Sequence, residues 1–214
     1  LSETPETFYR ERVPAQFNRT LADQRQTAAE NEAAARVLEE MEAVRASIVV
    51  EVVEGPVAVV DAPSLRVAYD IDRGEMRCVN APARPPFLLL AHSRGDFENL
   101  RRECGDSLLG FLGGLAGLGD EMRLTSQRVR SLRELEGGIV FDRIGAGGFA
   151  LHAHFGTESQ RTTPRATIRL DESTYARLRA GELDPQDAFL AGDVELEGDE
   201  GLAIELALTA LAPD

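Results

Sequence analysis

ATIRLDESTYARLRAGELDPQDAFLAGDVELEGDEGLAIELALTAL, Ala166 to Leu211, is the stretch on which the reading of this chain turns. Arg165 to Leu170 has the branched residues of a strand. Asp171 is placed to cap a helix from Glu172 to Ala180, and Gly181 supplies the left-handed residue that ends it. Asp184-Pro185 repeats the device, a cap followed by proline at the first helical position, for a helix ending near Leu190. Asp193 to Glu197 alternates acidic and apolar residues, so Val194 and Leu196 share one face of a strand. From about Glu200 to Leu211 the chain is apolar almost all round, the mark of a helix that is wholly buried or lines a cavity.

A weaker copy lies earlier, FLLLAHSRGDFENLRRECGDSLLGFLGGLAGLGDE, Phe87 to Glu121. Setting Phe189 against Phe111 brings Pro164 onto Pro86, Leu178 onto Leu100, Arg179 onto Arg101 and Asp184 onto Asp106 without a gap. Leu190, Gly192 and Leu196 then meet Leu112, Gly114 and Leu118, while Ile168 with Leu90 and Tyr175 with Phe97 are conservative pairs. Such a match indicates a duplicated folding unit.

With 214 residues the chain is long enough for one sizeable domain or two small ones, and 43% apolar residues suit a packed core. A formal charge of −14 opposes nucleic acid, which demands clustered positive charge, and disfavours anionic membrane surfaces. No apolar run is long enough for a membrane span, and the opening LSETPETFYRERVPAQF is polar, without a secretory signal; the expected setting is cytoplasmic. All 23 basic residues are arginine, which removes Schiff-base, P-loop and kinase-type lysine chemistry. Cys78 and Cys104 are too far apart in sequence for a disulfide framework and read as free thiols.

Along the rest of the chain, Pro5 to Arg12 reads as a short helix stopped by Pro14. A second helix, from Thr20 to Ala46, carries Ala34, Val37, Leu38, Met41 and Val44 at helical spacing. At about 40 Å it leaves room to project or to pair with another chain, so a homodimer is a candidate assembly. Ser47 to Glu54 is a strand, Val57 to Val60 continues extended, and Leu65 to Asp70 with Glu75 to Val79 form a hairpin. Phe87 to Ala91 is a strand, followed by short helices over Asp96 to Cys104 and Ser107 to Leu112. Thr125-Ser126 caps a helix to Leu135, and Ile139 to Ile144 and Phe149 to Phe155 are strands either side of a glycine turn.

The C-terminal pattern resembles the sterol carrier protein 2 family. Gly181, Asp184-Pro185-Gln186, Ala188-Phe189-Leu190, Gly192, Val194, Leu196, Gly198-Asp199 and Leu202 to Leu206 follow that family's order, and PETFYRERVPAQFNR (Pro5 to Arg19) is similar to its opening helix. The earlier copy resembles it weakly, its last strand replaced by the glycine-rich LAGLGD. The resemblance implies a bacterial variant with an internal repeat, and a hydrophobic tunnel for a sterol, fatty acid or fatty acyl-CoA, bound without covalent chemistry or cofactor.

Other motifs read as structure. Gly145-Ala146-Gly147-Gly148-Phe149-Ala150 fits G-x-G-x-x-A, but FALHAHF alternates like a strand instead of opening a helix, so the glycines form a hairpin turn. His152 and His154 share one strand face as a metal pair would, yet the third histidine, His92, falls in the other unit. Ser107 in GDSLLG misses the nucleophile-elbow spacing by one residue. Cys104 sits at a helix end, where the dipole disfavours a thiolate. Glu195 to Glu200 lacks the ligand spacing of a calcium loop.

The expected architecture is therefore α+β: a mainly antiparallel sheet with helices packed on one face, two related units and a long N-terminal helix. The units are an N-terminal helical segment (1–46), a first degenerate unit (47–124) and a second unit (125–214), or one continuous domain. The expected function is non-catalytic capture of a lipid-like small molecule by Phe189, Leu190, Val194, Leu196, Leu202, Ile204, Leu206 and Leu208. The alternative is a protein–protein interaction module with filled apolar cores, working through the long N-terminal helix; an enzyme lacks an identifiable nucleophile or base.

Overall fold

The computed structural model describes residues 3–115 and 123–210. It opens on one helical run made of α1 (Pro5–Thr7), a π-helical turn (Phe8–Arg12) and α2 (Val13–Ala28). Pro14 does not stop this run. The Val13 N–H bonds back to the Phe8 carbonyl, five residues earlier, and this wider π-helical turn accommodates Pro14, which has no N–H to offer at the next position. The long N-terminal helix is thus present, but it starts earlier and ends earlier than the apolar spacing suggests. The break comes at Asn31, whose Oδ1 accepts from Ala33 N (2.9 Å) and Ala34 N (3.1 Å) and starts α3 (Glu32–Glu42). That side-chain cap competes with helix continuation and wins in the alanine-rich stretch. α3 folds back on α2, with Gln24 Nε2 donating to Ala34 O at 2.8 Å and Arg25 paired with Glu42 at 2.8 Å.

Then come strands β1 (Arg45–Val53), β2 (Leu65–Asp72), β3 (Glu75–Val79) and β4 (Leu88–Ser93), and helices α4 (Phe97–Cys104), α5 (Gly110–Leu115) and α6 (Ser126–Glu134). The C-terminal part holds β5 (Gly137–Ile144), β6 (Phe149–Phe155), β7 (Ala166–Asp171), α7 (Glu172–Arg179), α8 (Pro185–Ala191), β8 (Val194–Gly198) and α9 (Glu200–Ala210). Two local expectations change. Val57 to Val60 lies in a turn rather than an extended segment, and the helix placed at Ser107 begins at Gly110. The pairing of Leu118 with Leu196 and the end of the last helix at Leu211 lie outside the described residues.

The strands form one eight-stranded mixed sheet in the order β3-β2-β1-β4-β6-β5-β7-β8. Its junctions are antiparallel except β1 with β4 and β5 with β7, which are parallel. The order β2-β1-β4 therefore recurs as β6-β5-β7, each time a hairpin whose first strand takes a later, parallel neighbour. β4 and β7 also begin and end at residues that the sequence match sets opposite each other, Leu88 with Ala166 and Ser93 with Asp171. In the second half β8 flanks β7; in the first half the equivalent place beside β4 is taken by β6.

Alternation sorts the strands into two faces. Ile48, Val50, Val67, Tyr69, Leu90, Phe141, Leu151 and Ala153 point to the helices and are buried in one continuous core. The opposite face carries a small cluster of Val49, Ala68 and Leu89, together with the buried polar residues Ser47, Glu51, His152 and His154. The β3 edge is closed by Asn18 of α2, which accepts from Met76 N (2.8 Å) and donates to Met76 O (3.0 Å). α7 and α8 carry the expected caps: Asp171 accepts from Thr174 N at 2.7 Å, Asp184 from Gln186 N at 2.8 Å, and Gly192 ends α8 with φ 78°.

Gly138 gives a direct test of packing between β5 and the outer face. A Cβ there would lie 2.1 Å from His152 Nε2, whereas one on Gly55 would meet nothing within 4 Å. Gly138→Ala is expected to lower unfolding free energy by about 1–3 kcal/mol, the usual range for overpacking. Gly55→Ala is expected to stay within about 0.5 kcal/mol of the parent. Urea denaturation of both variants checks the pair.

Candidate functional site

Between the helices and the β5–β7–β8 edge of the sheet lies an apolar cavity of about 370 Å³. Its floor is strand residues that alternation turns inward: Phe141 of β5, Ile168 and Leu170 of β7, and Val194 and Leu196 of β8. One wall is α9, through Ala203, Ile204, Leu206, Ala207 and Leu208; another is α8, through Pro185, Gln186, Phe189 and Leu190. Leu178 of α7 closes the side, with Leu112 and Leu115 of α5 and Leu132 of α6. Among the described residues Gln186 is the one polar side chain on the wall, and no charged side chain lines it.

The local sequence explains why this space stays open. α8 is two turns long, held between its Asp184 cap and the left-handed Gly192, and only Ala188 of its residues is buried. Phe189 is 44% exposed and Leu190 81% exposed, so their apolar surface stands at the mouth instead of in the core. α9 buries Leu202, Ala203 and Leu206 but leaves Ile204 and Leu208 more than half exposed. An all-round apolar helix thus serves two environments. Behind the wall, Phe111 stacks on Tyr175 (centroids 4.9 Å apart) and meets the wall residue Phe141 edge-on at 5.8 Å.

Of the residues singled out in sequence, Phe189, Leu190, Val194, Leu196, Ile204, Leu206 and Leu208 line the cavity. Leu202 does not. It is buried in the core beside Gly137, because it points away from α8 and toward the start of β5. Sequence reasoning missed Leu112 and Leu115, in the stretch read as the first unit (47–124), and Leu132, in the second (125–214) ahead of β5. Their apolar spacing was visible; their convergence on β7 and β8 is set by tertiary packing. It also missed Gln186, whose place beside a proline reads as an ordinary first helical turn.

The other motifs have structural explanations. Gly145 to Gly148 joins β5 and β6 as an antiparallel hairpin, with Arg143 opposite Phe149. Buried Arg143 collects the turn's carbonyls, donating to Ala146 O (3.0 Å), Ile144 O (3.3 Å) and Gly147 O, and pairs with Glu103 at 3.3 Å. A turn whose carbonyls face a guanidinium offers no amide cradle to a phosphate. His92 lies on the helix face, accepting at Nε2 from the Tyr9 hydroxyl (2.6 Å) and donating from Nδ1 to Ser93 O (2.7 Å). His152 and His154 lie on the opposite face of the sheet, so the three histidines do not converge. Among the described residues no group of three or more His, Cys, Asp or Glu side chains is placed to hold a metal ion. Cys104 is buried and Cys78 half-buried, and no disulfide joins them. In the acidic stretch Glu195 pairs with Arg169 (3.5 Å), and Asp199 caps α9 at Leu202 N (3.0 Å) and binds Arg165.

His152 belongs to a buried polar network. Arg161 Nε donates to Glu51 Oε2 at 2.6 Å, and its Nη1 donates to Val57 O at 3.1 Å and lies 3.2 Å from His152 Nδ1. Arg66 binds the other oxygen of Glu51. The network ties the loops around Val57 and Arg161 across the outer face of β1, β2 and β6. Glu158 sits 3.1 Å from His154 Nε2 at its rim.

Residues 131–210 match the model of the SCP-2 sterol transfer family. That span includes β5 to α9, hence most of the cavity wall, and is less than half of the chain. Among solved structures, part of the chain is similar to sterol carrier protein 2-like 2 from Aedes aegypti, at 23% identity over 35% of this chain and 74% of that one, with a TM-score of 0.29. It is also similar to sterol carrier protein 2 from Yarrowia lipolytica in its apo form, at 19% identity over 48% of this chain and 90% of that one, with a TM-score of 0.32. No curated protein matches the sequence. No described helix is long and apolar enough to cross a membrane.

The outer-face network makes stability depend on pH. Burial, and then the Arg161 charge, push His152 down to about 4 from an ordinary value of 6.5. Burial also lowers His92 and His154. The unfolded chain therefore takes up these protons first, so stability is full above about pH 6.5 and falls as pH drops toward about 4. His152 alone accounts for about 3 kcal/mol across that window. His152→Gln is expected to flatten the slope of unfolding free energy between about pH 6.5 and 4, measured by urea denaturation across that range.

Proposed function

We propose that this chain binds and carries an apolar small molecule in the cavity framed by α8, α9, β7 and β8, without covalent chemistry. One observation carries the reading: among the described residues the wall is apolar except for Gln186, and it opens to solvent through Phe189, Leu190, Ile204 and Leu208. About 370 Å³ falls within the usual range for small-molecule sites. Burial of ligand surface at roughly 25 cal/mol per Å² supplies the driving force. No described wall residue is a nucleophile, acid or base, which supports carriage over catalysis.

The family match over residues 131–210 supports a lipid-like ligand, and sterols, fatty acids and fatty acyl-CoA are the candidates that the resemblance implies. With this reading go an internal duplication, supported by the recurring strand order, and a bacterial, cytoplasmic setting; a homodimer stays a candidate assembly. The interaction-module alternative draws less support, because Phe8, Tyr9, Val13 and Leu21 of the N-terminal helix are buried within the chain's own core and leave little for a partner to grip.

A fluorescent sterol or acyl probe is expected to bind, with emission shifted as in an apolar solvent. Leu206→Arg should abolish binding, since an unpaired charge in the cavity is costly. Leu196→Trp, which fills the space from the floor, should weaken it about tenfold or more while circular dichroism and the melting temperature show a folded protein. Folded parent protein that takes up no probe at tens of micromolar would place the interaction module ahead.

A further inference from the structure

The charges around the cavity narrow its ligand further, in an inference that rests on the cavity reading above. Among the described residues the interior holds no arginine or histidine, so a carboxylate or phosphate drawn inside would be desolvated without a counter-charge, a costly arrangement. An anionic ligand would have to leave its head at the mouth. There it meets α8 and α9, whose only ionisable side chains are acidic: Asp187 on α8, Glu200 and Glu205 on α9. Neither helix carries an arginine.

The backbone does not compensate. The N-terminal amides of α8 nearest Gln186 are already taken, because Asp184 Oδ1 accepts from Gln186 N (2.8 Å) and Asp187 N (3.3 Å). The last turn of α9, where Leu208 lines the cavity, is the negative end of that helix's dipole. Arg177 of α7 is directed to Asp193 at 3.8 Å, and α6 supplies Leu132 to the wall but none of its arginines. What remains for a ligand's head is the Gln186 amide, one donor group and one acceptor, which suits a hydroxyl or carbonyl.

We propose that the cavity takes an uncharged amphiphile, an alcohol, ketone or ester on an extended or polycyclic apolar body, and discriminates against the same body ending in a carboxylate or phosphate. The net charge of −14 acts in the same direction at long range.

The test uses three probes on one fluorescent hydrocarbon chain, ending in alcohol, methyl ester and carboxylate. Each is titrated below its micelle-forming concentration at about pH 8, where the carboxylate is ionised. Alcohol and ester are expected to bind at least about tenfold more tightly than the carboxylate at low salt, and the gap should shrink at roughly 0.5 M salt. Asp187→Asn with Glu205→Gln, both at exposed positions, should strengthen carboxylate binding severalfold and leave the alcohol unchanged. Carboxylate binding as tight as the alcohol's, or tighter, overturns the charge selection while leaving the cavity in use. Binding of none of the three overturns the cavity reading and this inference with it.

Discussion

The pairing of β4 with β6 is the constraint on which the rest depends. It runs from Leu88 opposite Phe155 to His92 opposite Leu151 and joins two sets of strands into one sheet. A slip of one residue would turn His152 and His154 onto the helix face and drive Leu151 and Ala153 into the polar network. The register therefore fixes an apolar face for the helices and a charged, loop-covered face behind it at the same time. It also fills the place beside β4 that β8 occupies beside β7, so the two halves end differently. The sheet's edges are β3, which Asn18 of α2 holds at Met76, and β8, beside which the helix layer leaves the apolar cavity.

The two halves treat the same face in opposite ways. In the first, the N-terminal helical run supplies Phe8, Tyr9, Val13 and Leu21, and the Tyr9 hydroxyl finds His92 within the core. The cavity left beside that pair is about 30 Å³. In the second, a two-turn α8 and a half-exposed α9 leave more than ten times that volume. Large empty apolar space is destabilising in proportion to its size, so a hollow of this kind persists only where solvent or a ligand has access. The exposed rim of Phe189, Leu190, Ile204 and Leu208 provides that access.

Much of this was legible where the chemistry is local. Asp171, Asp184, Gly181 and Gly192 announce their caps, and the strand alternation at Val194 and Leu196 gives the inward face directly. The hairpin at Gly145 to Gly148 follows from alternation on both sides. Errors came where one local preference overruled another: Asn31 ended a helix that the apolar spacing continued, and the π-helical turn at Phe8 to Arg12 carried a helix through Pro14. Leu202 was misplaced because an all-round apolar helix gives no sign of which side meets the cavity. Leu112, Leu115 and Leu132 were not legible as site residues, since their meeting with β7, β8 and α9 is set by the packing of α5 and α6 against those elements and by no local pattern.

The same contrast locates where the molecule yields. On the outer face of β1, β2 and β6 the Glu51–Arg161 pair is buried, with the exposed Arg66 on the other carboxylate oxygen, and removing Arg161 would strand the Glu51 charge at a cost of several kcal/mol. Across β5, β7 and β8 the corresponding ties are Arg169 to Asp142 at 3.1 Å and Arg169 to Glu195 at 3.5 Å, both on accessible side chains and each worth at most about 1 kcal/mol. The helix side is no firmer there, since Val194 and Leu196 are only half-buried beneath the cavity. Low burial on one face and weak ion pairs on the other leave α8 and β8 with weaker ties than β1, β2 and β6 have. Under the carrier reading proposed above, a ligand would enter on that side, where Phe189 and Leu190 stand at the mouth, while the buried pair keeps the other strands in register.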